Sequence, residues 1–400
     1  MLYRRFGKTN LELSVFSCGT MHCLESIAIF QDTLMTAIAQ GINHLETARG
    51  YGKSEIYLGQ SLRSGLGIPR ENLCITTKLL PTPDPKKMEQ EIKESLERLQ
   101  LDYIDCLAIH GINTWEHLEW ITSENGCWSA IQSALEQGKI RHVGFSTHAP
   151  LEIILAAINT NLFEFVNLHY YYFFQRHQAA IELAYQKDMG VFIISPADKG
   201  GLLYDPPLKL QELCQPLTPL HLTYRWLLSD RRITTLSFGA ANPEEVNSAL
   251  DIISNSNYSF DPILEPLSLE ELAIFTRLEN HLTQTLNPDS LDINNSDASN
   301  NLTTDKCSQC YACLPCPENI TIPEILRLRN LAVAYDMTQY GEYRYGMLEN
   351  AGHWFPGQKG NRCTECGDCL PRCPEKLEIP RLLKDAHQKL NGSPRRRLWG

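Results

Sequence analysis

The run Tyr103-Ile104-Asp105-Cys106-Leu107-Ala108-Ile109-His110 follows a helical pattern at Lys86–Leu99 and leads into a polar turn. An apolar run of this length, too short for a helix and bounded by turn residues, reads as a strand buried on both faces. Seven further runs repeat the theme: Val15–Met21, Asn43–Thr47, Leu73–Lys78, His142–Ser146, Phe165–Tyr170, Val191–Pro196 and Thr234–Gly239. Helical patterns lie between them, among them Trp128–Gln137 and Gln175–Met189, the last expected to close at Gly190 as a helix C-terminus. Eight strand–helix units in about 260 residues predict an α/β fold, a closed (β/α)8 TIM barrel, with functional groups at the C-terminal strand ends. The alternative is an open doubly wound sheet, but no Gly-x-Gly-x-x-Gly follows the first strand.

With 400 residues and 43% hydrophobic content, the chain can bury a full core and still carry a second domain. The formal charge of -11 is uneven. Residues 301–400 carry 14 Lys and Arg against 11 Asp and Glu, leaving 22 against 36 in the rest. The acidic body gives no basis for nucleic-acid binding, and no stretch reaches membrane-spanning length. The opening Met1–Gly7 lacks the apolar core of a signal peptide, so a reducing cytoplasm is expected. The texture changes after Pro262, first to an amphipathic stretch, Leu267–Leu282, and then to the polar run Asn287–Asp305. The expected domains are a barrel over 1–283, a polar linker over 284–304, a cysteine-rich domain over 305–390 and a basic tail over 391–400.

Eight of the 14 cysteines fall in two tight runs, Cys307-x2-Cys310-x2-Cys313-x2-Cys316-Pro317 and Cys363-x2-Cys366-x2-Cys369-x3-Cys373-Pro374. Three thiolates at three-residue spacing wrap one face of a cubane, and the Cys-Pro that follows supplies the fourth ligand to the other cluster. The spacing therefore predicts two [4Fe–4S] clusters, with Cys307, Cys310, Cys313 and Cys373 on one and Cys363, Cys366, Cys369 and Cys316 on the other. Zinc usually takes cysteines in separated pairs, and disulfides suit an oxidising compartment. The other six, Cys18, Cys23, Cys74, Cys106, Cys127 and Cys214, have no ligand spacing and read as buried apolar residues.

Three strand ends of the barrel finish on or near groups able to move a proton or polarise a carbonyl: Glu46 and Tyr51, then Lys78, then His110. An ammonium beside a phenol is expected to pull its pKa down, which would let Tyr51 donate a proton near neutral pH. Glu46 is positioned to hold Lys78, and His110 to orient a carbonyl oxygen. His22, Trp115 and the run Tyr170-Tyr171-Tyr172-Phe173-Phe174 read as core or hinge packing, with a pocket wall as the alternative.

Gly41-Ile42-Asn43-His44-Leu45-Glu46-Thr47-Ala48-Arg49-Gly50-Tyr51-Gly52-Lys53-Ser54-Glu55 resembles the second-strand signature of the aldo/keto reductases. Leu101–His110 and Gly138–Ser146 are similar to the family's fourth- and fifth-strand motifs, and the likeness runs over roughly residues 1–280. Cys313–Pro323 and the later Cys-x2-Cys-Gly look like the dicluster domain fused to one bacterial branch of that family. A helical pattern at Ile322–Ala334, between the two cysteine runs, points to a small, mainly helical ferredoxin-like module. The resemblance implies Tyr51 as general acid, Lys78 and Glu46 as its tuning pair and His110 as the carbonyl-positioning group. It also implies NAD(P)H as cofactor, with Ser146, Thr147, Asn167, Ser195, Gly239 and Asn242 as contacts, and a small-molecule carbonyl or alcohol as substrate.

The chain departs from the family pattern in three places. Glu46 stands where the family has aspartate, one methylene shorter, so Glu46→Asp is expected to preserve or raise activity. Ser237–Val246 holds two glutamates where the family grips the 2′-phosphate of NADPH with basic side chains, so a preference is expected to lean to NADH or be weak. Ile194 stands where an aromatic residue often stacks on nicotinamide. A nicotinamide gives two electrons at once and a cluster takes one, so exchange between them calls for an intermediary such as a flavin, for which no motif is recognisable. The leading expectation is an oxidoreductase coupled to a dicluster electron-transfer module, with a one-electron carrier such as ferredoxin as a further partner. The second is an electron-transfer or redox-sensing protein whose barrel is a binding scaffold.

Overall fold

The computed structural model describes residues 1–254, 266–287 and 305–392. These form two compact units, one of Met1–Gly200 with Thr223–Pro266, the other of Gly201–Leu222 with the residues from Leu267 onward.

The first unit opens with a hairpin of β1 (Tyr3–Arg5) and β2 (Glu12–Ser14), followed by eight parallel strands. These are β3 (Phe16–Gly19), β4 (His44–Glu46), β5 (Cys74–Leu79), β6 (Ile104–His110), β7 (Ile140–Ser146), β8 (Phe165–Leu168), β9 (Gly190–Ile193) and β10 (Thr235–Gly239). β10 pairs with β3, and the ring closes in the order β10-β3-β4-β5-β6-β7-β8-β9. Each expected strand is present within a few residues of its expected bounds. The helix Pro85–Leu99 shows how local signals set an element: Asp84 caps it by accepting from Lys86 N–H, Pro85 sits in its first turn, and Met88, Ile92 and Leu99 share the buried face.

The hairpin closes the N-terminal end of the barrel. Phe6 is fully buried among Leu13, Cys74, Cys106, Ala108, Phe165 and Phe192, a burial that stabilises the fold by about 1.5–3 kcal/mol. Gly190 belongs to this plug and not to a helix end. The helix over Gln178–Gln186 stops at Lys187, Asp188 supplies the left-handed turn at φ 53°, and Gly190 opens β9. A Cβ at Gly190 would lie 2.2 Å from the Phe6 ring, so only glycine admits the plug.

The barrel interior also holds a polar layer. His44 Nδ1 pairs with Ser17 Oγ at 2.6 Å and its Nε2 with Thr76 Oγ1 at 2.7 Å, while Ser17 reaches Thr235 Oγ1 at 2.7 Å. Burial pushes the His44 pKa down to about 3, so the ring stays neutral with both nitrogens engaged.

In the second unit the helix Ile322–Tyr335 is buried on almost every side, as a central helix should be. The helix Leu269–Leu286 joins it through His281 Nε2 to Ala334 O (2.9 Å) and the Tyr335 hydroxyl donating to Leu278 O (2.9 Å). Arg277 Nε in turn donates to Leu213 O at 2.8 Å. Residues 201–222 and 267–283, expected in the barrel, therefore belong here, and the expected linker starts inside a helix whose Leu286 is buried. Positions 288–304 of that linker and 393–400 of the expected tail lie outside the described residues. Among the described residues no helix is long and apolar enough to cross a membrane.

Candidate active site and cluster sites

Tyr51 follows β4 on a turn tied down by Ser54, whose hydroxyl meets those of Thr20 and Thr47 at 2.6 and 2.7 Å. Lys78, in β5 and almost fully buried, donates from Nζ to the Tyr51 hydroxyl oxygen and to Thr47 O, each at 3.1 Å. Its third neighbour is the Glu46 carboxylate, in direct contact and also buried. The longer Glu46 side chain fits because its partner across β3 is Gly19, where a Cβ would lie 3.3 Å from Glu46 Oε2. The Tyr51 ring meets His110, the last residue of β6, edge to face at 5.8 Å. Four groups from three separate strand ends thus converge at one end of the barrel.

Burial governs their protonation. It raises the Tyr51 pKa above that of a free phenol, against the expected lowering by Lys78, because desolvating a phenolate in this pocket outweighs a nearby ammonium. It drives Lys78 well below the usual ammonium range, with Lys199 adding to the effect. His110 is held well below the usual imidazole range by burial, then by Lys78 and Lys199, so it is neutral. Lys199, in the loop after β9, acts electrostatically on Lys78, His110 and His22. No local motif marked it; only its position just past a barrel strand could have drawn attention to it.

The expected nicotinamide contacts lie along β7 to β10 and their exits. Ser146 ends β7 in register with Asn167 of β8, and both are buried. Neither side-chain polar atom of Asn167 has a hydrogen-bond partner. A buried amide with donor and acceptor both unspent is an uncommon cost. Thr147 spends its hydroxyl on Ile112 O at 2.6 Å, and Ser195 takes a left-handed φ of 54°. At the exit of β10, His22 lies against Gly239, whose Cβ would be 2.7 Å from the imidazole. Asn242 Oδ1 accepts from Glu245 N at 3.0 Å, and the Glu245 carboxylate accepts from Ala241 N at 2.8 Å. The start of the helix Pro243–Ser254 is therefore already capped by the Asn242 amide oxygen, with the Glu245 carboxylate on the N–H just before it.

The aromatic run is buried at Tyr170 and Tyr171 and half-buried at Tyr172, Phe173 and Phe174. Tyr170 is buried and stacks on Trp226 at 5.1 Å, and Tyr171 spends its hydroxyl on Ile194 O at 2.6 Å. Trp115 is exposed. The six cysteines outside the runs are free and buried.

The two cysteine runs enclose two cavities in the second unit. One is lined by Cys307, Cys310, Cys313 and Cys373 together with Leu326 and Ile379. The other is lined by Cys316, Cys363, Cys366 and Cys369 together with Ile322 and Leu383. Each quartet draws three thiols from one run and one from the other. Four thiols around each hollow suit a [4Fe–4S] group in both number and softness.

Residues 306–377 match the 4Fe-4S dicluster domain, and residues 27–263 match the aldo/keto reductase family. An aldo-keto reductase of Mycolicibacterium paratuberculosis is 30% identical over 254 residues, covering 60% of this chain and 79% of that protein. An L-galactose dehydrogenase of Arabidopsis thaliana is 31% identical over 223 residues, covering 51% and 68%. The solved holo form of an aldo-keto reductase from Bacillus halodurans superposes with a TM-score of 0.59 at 20% identity, over 69% of this chain and 96% of that one, a likeness of fold. The barrel, its convergent strand ends and the cysteine-rich unit thus identify the chain as an oxidoreductase of the aldo/keto reductase family that carries a 4Fe-4S dicluster domain.

Proposed function

We propose that the barrel site interconverts a small carbonyl compound and its alcohol, with Tyr51 handling the proton, and that the two cysteine quartets hold [4Fe–4S] clusters. A bound nicotinamide supplies hydride, and bound clusters supply one-electron exchange. The observation that carries the reading is the 3.1 Å contact between Lys78 Nζ and the Tyr51 hydroxyl. Because the lysine donates to the phenol oxygen, the phenol's own hydrogen is free to point at a substrate oxygen. Its raised pKa keeps Tyr51 protonated at neutral pH, and it gives up the proton only as a more basic alkoxide develops. Lys78, held by Glu46 and Thr47 O, then stabilises the phenolate. Neutral His110 can donate a hydrogen bond to the carbonyl without adding charge.

The fit to nicotinamide rests on Asn167. Its unspent donor and acceptor complement a primary carboxamide, with Ser146 alongside and Thr147 and Ser195 at the neighbouring strand exits. Gly239 and Asn242 support the phosphate end less well, since His22 and Glu245 lie there. A 2′-phosphate would meet a carboxylate, which favours NADH over NADPH. The same two residues favour the second reading, an electron-transfer or sensing protein with a scaffold barrel. Exchange between hydride and one-electron chemistry takes an intermediary, a flavin or an external one-electron carrier such as ferredoxin.

Titrating the anaerobically reconstituted full chain with NADH and NADPH, and following intrinsic fluorescence, separates the two readings. Saturable quenching by NADH that Asn167→Leu weakens tenfold or more supports the reductase. No binding of either nucleotide by a chain with intact clusters overturns it.

A further inference from the structure

The two cysteine runs are copies of one motif in shape as well as spacing. Gln309 and Glu365 stand at the same place, two residues after the first cysteine, and both are left-handed, at φ 60° and 56°. Tyr311 and Gly367 (61° and 83°), and Asn319 and Lys376 (54° and 52°), repeat the match. Each Cys-Pro-Glu leads four residues after its glutamate into a helix with proline in its first turn, Ile322–Tyr335 and Ile379–Leu390. Glu375 lines the first cavity as Glu318 lines the second, so these two charges cancel in any comparison.

What differs falls on the cysteines themselves. The Gln309 amide donates from Nε2 to Cys307 Sγ at 3.3 Å and is steadied by a second bond to Pro323 O at 2.8 Å. Glu365, its counterpart, lines the second cavity as an anion with no proton to give. Asp368 stands where the first run has Ala312, and the one inserted residue, Arg372, returns a single positive charge. The second site is therefore about one charge more negative and lacks the amide donor. A donor to a ligand sulfur favours the reduced, more negative state of a site, and a nearby carboxylate disfavours it.

We infer that the dicluster unit is electrically graded, with the Cys307/Cys310/Cys313/Cys373 site easier to reduce than the Cys363/Cys366/Cys369/Cys316 site, and that the pair Gln309 and Glu365 sets the order. The inference rests on the proposed cysteine quartets. A one-electron donor of intermediate potential would reduce the first site and leave the second oxidised, so the second equilibrates only with a stronger reductant.

The test is a potentiometric titration of the full chain, followed by EPR, with the two isosteric exchanges Gln309→Glu and Glu365→Gln. Wild-type protein should give two potentials. Gln309→Glu should lower the reduced-to-oxidised ratio at the higher-potential site about tenfold, about 59 mV for a one-electron couple. Glu365→Gln should raise the ratio at the other site about threefold, less because Glu365 is exposed and its field is screened. Equal wild-type potentials, shifts under twofold, both exchanges moving the same site, or Gln309→Glu acting on the lower-potential site would each overturn the inference. If Gln309→Glu fails to load iron, Glu365→Gln decides alone by the same criteria. Wild-type protein with far fewer than about eight irons per chain would instead refute the quartets on which the grading depends.

Discussion

Replacing Glu46 by glutamine keeps the side chain's shape against Gly19 and removes one charge from a pair buried inside the barrel. Glu46 is 5% exposed and Lys78 1%, so almost no water is available to solvate the lysine once its partner is neutral. Breaking a buried pair in this way costs about 3–5 kcal/mol, because a charge is left uncompensated. In a barrel of this size about 1 kcal/mol moves Tm by roughly 2–4 °C, so Glu46→Gln should lower the barrel's unfolding transition by roughly 6–20 °C. Lys78 can escape the penalty by losing its proton, which burial already favours. The unfolded chain then binds a proton that the native variant refuses, so the variant's deficit shrinks as pH rises towards the free lysine value. Thermal unfolding by circular dichroism, run anaerobically at several pH values, measures this. The double variant Glu46→Gln with Lys78→Met removes both charges and should cost less than Glu46→Gln alone. A loss below about 1 kcal/mol, or a double variant whose cost equals the sum of the single ones, would show that the pair is not the electrostatic unit described here.

Tyr51→Phe should cost about 10²–10⁴-fold in carbonyl reduction while leaving iron content and visible absorption unchanged, and turnover within tenfold of wild type would remove Tyr51 as the acid. Glu46→Asp, expected from the sequence to preserve or raise activity, should now lower it. The structure opens Gly19 to the longer side chain, and shortening it withdraws the carboxylate by about 1.5 Å, so a rise in kcat would refute the fit described here. Below about pH 6 the unfolded chain protonates His44 and the native barrel does not, so stability in urea should fall by about 1.4 kcal/mol per pH unit towards pH 3 from this group alone. His44→Asn should flatten that slope, and an unchanged slope would mean other groups set it. Cys373→Ser should damage the site built on Cys307, Cys310 and Cys313 while sparing the other, and EPR showing the reverse would undo the exchange of ligands between runs.

The longer barrel strands were legible because they are largely buried on both faces and read as near-continuous apolar runs, whereas Asn43–Thr47 is polar at every position but Leu45 and carries little such signal. The cysteine runs were legible for a similar reason: ligand spacing is written along the chain, and the cavity walls collect the same quartets. Tyr51, Lys78, Glu46 and His110 could be named, since strand ends of a closed barrel must converge. The hairpin of β1 and β2 went unseen because its two three-residue strands, Tyr-Arg-Arg and Glu-Leu-Ser, carry no period, and only Phe6 filling the barrel end gives them a reason to pair. For the same reason Gly190 read as a helix stop, when what requires glycine there is a ring arriving from residue 6. Proton affinities lay furthest from the sequence. The neighbours of Tyr51 could be guessed, but whether an adjacent ammonium or the loss of water prevails depends on how completely the fold encloses the phenol, and burial is a property of the packed molecule alone.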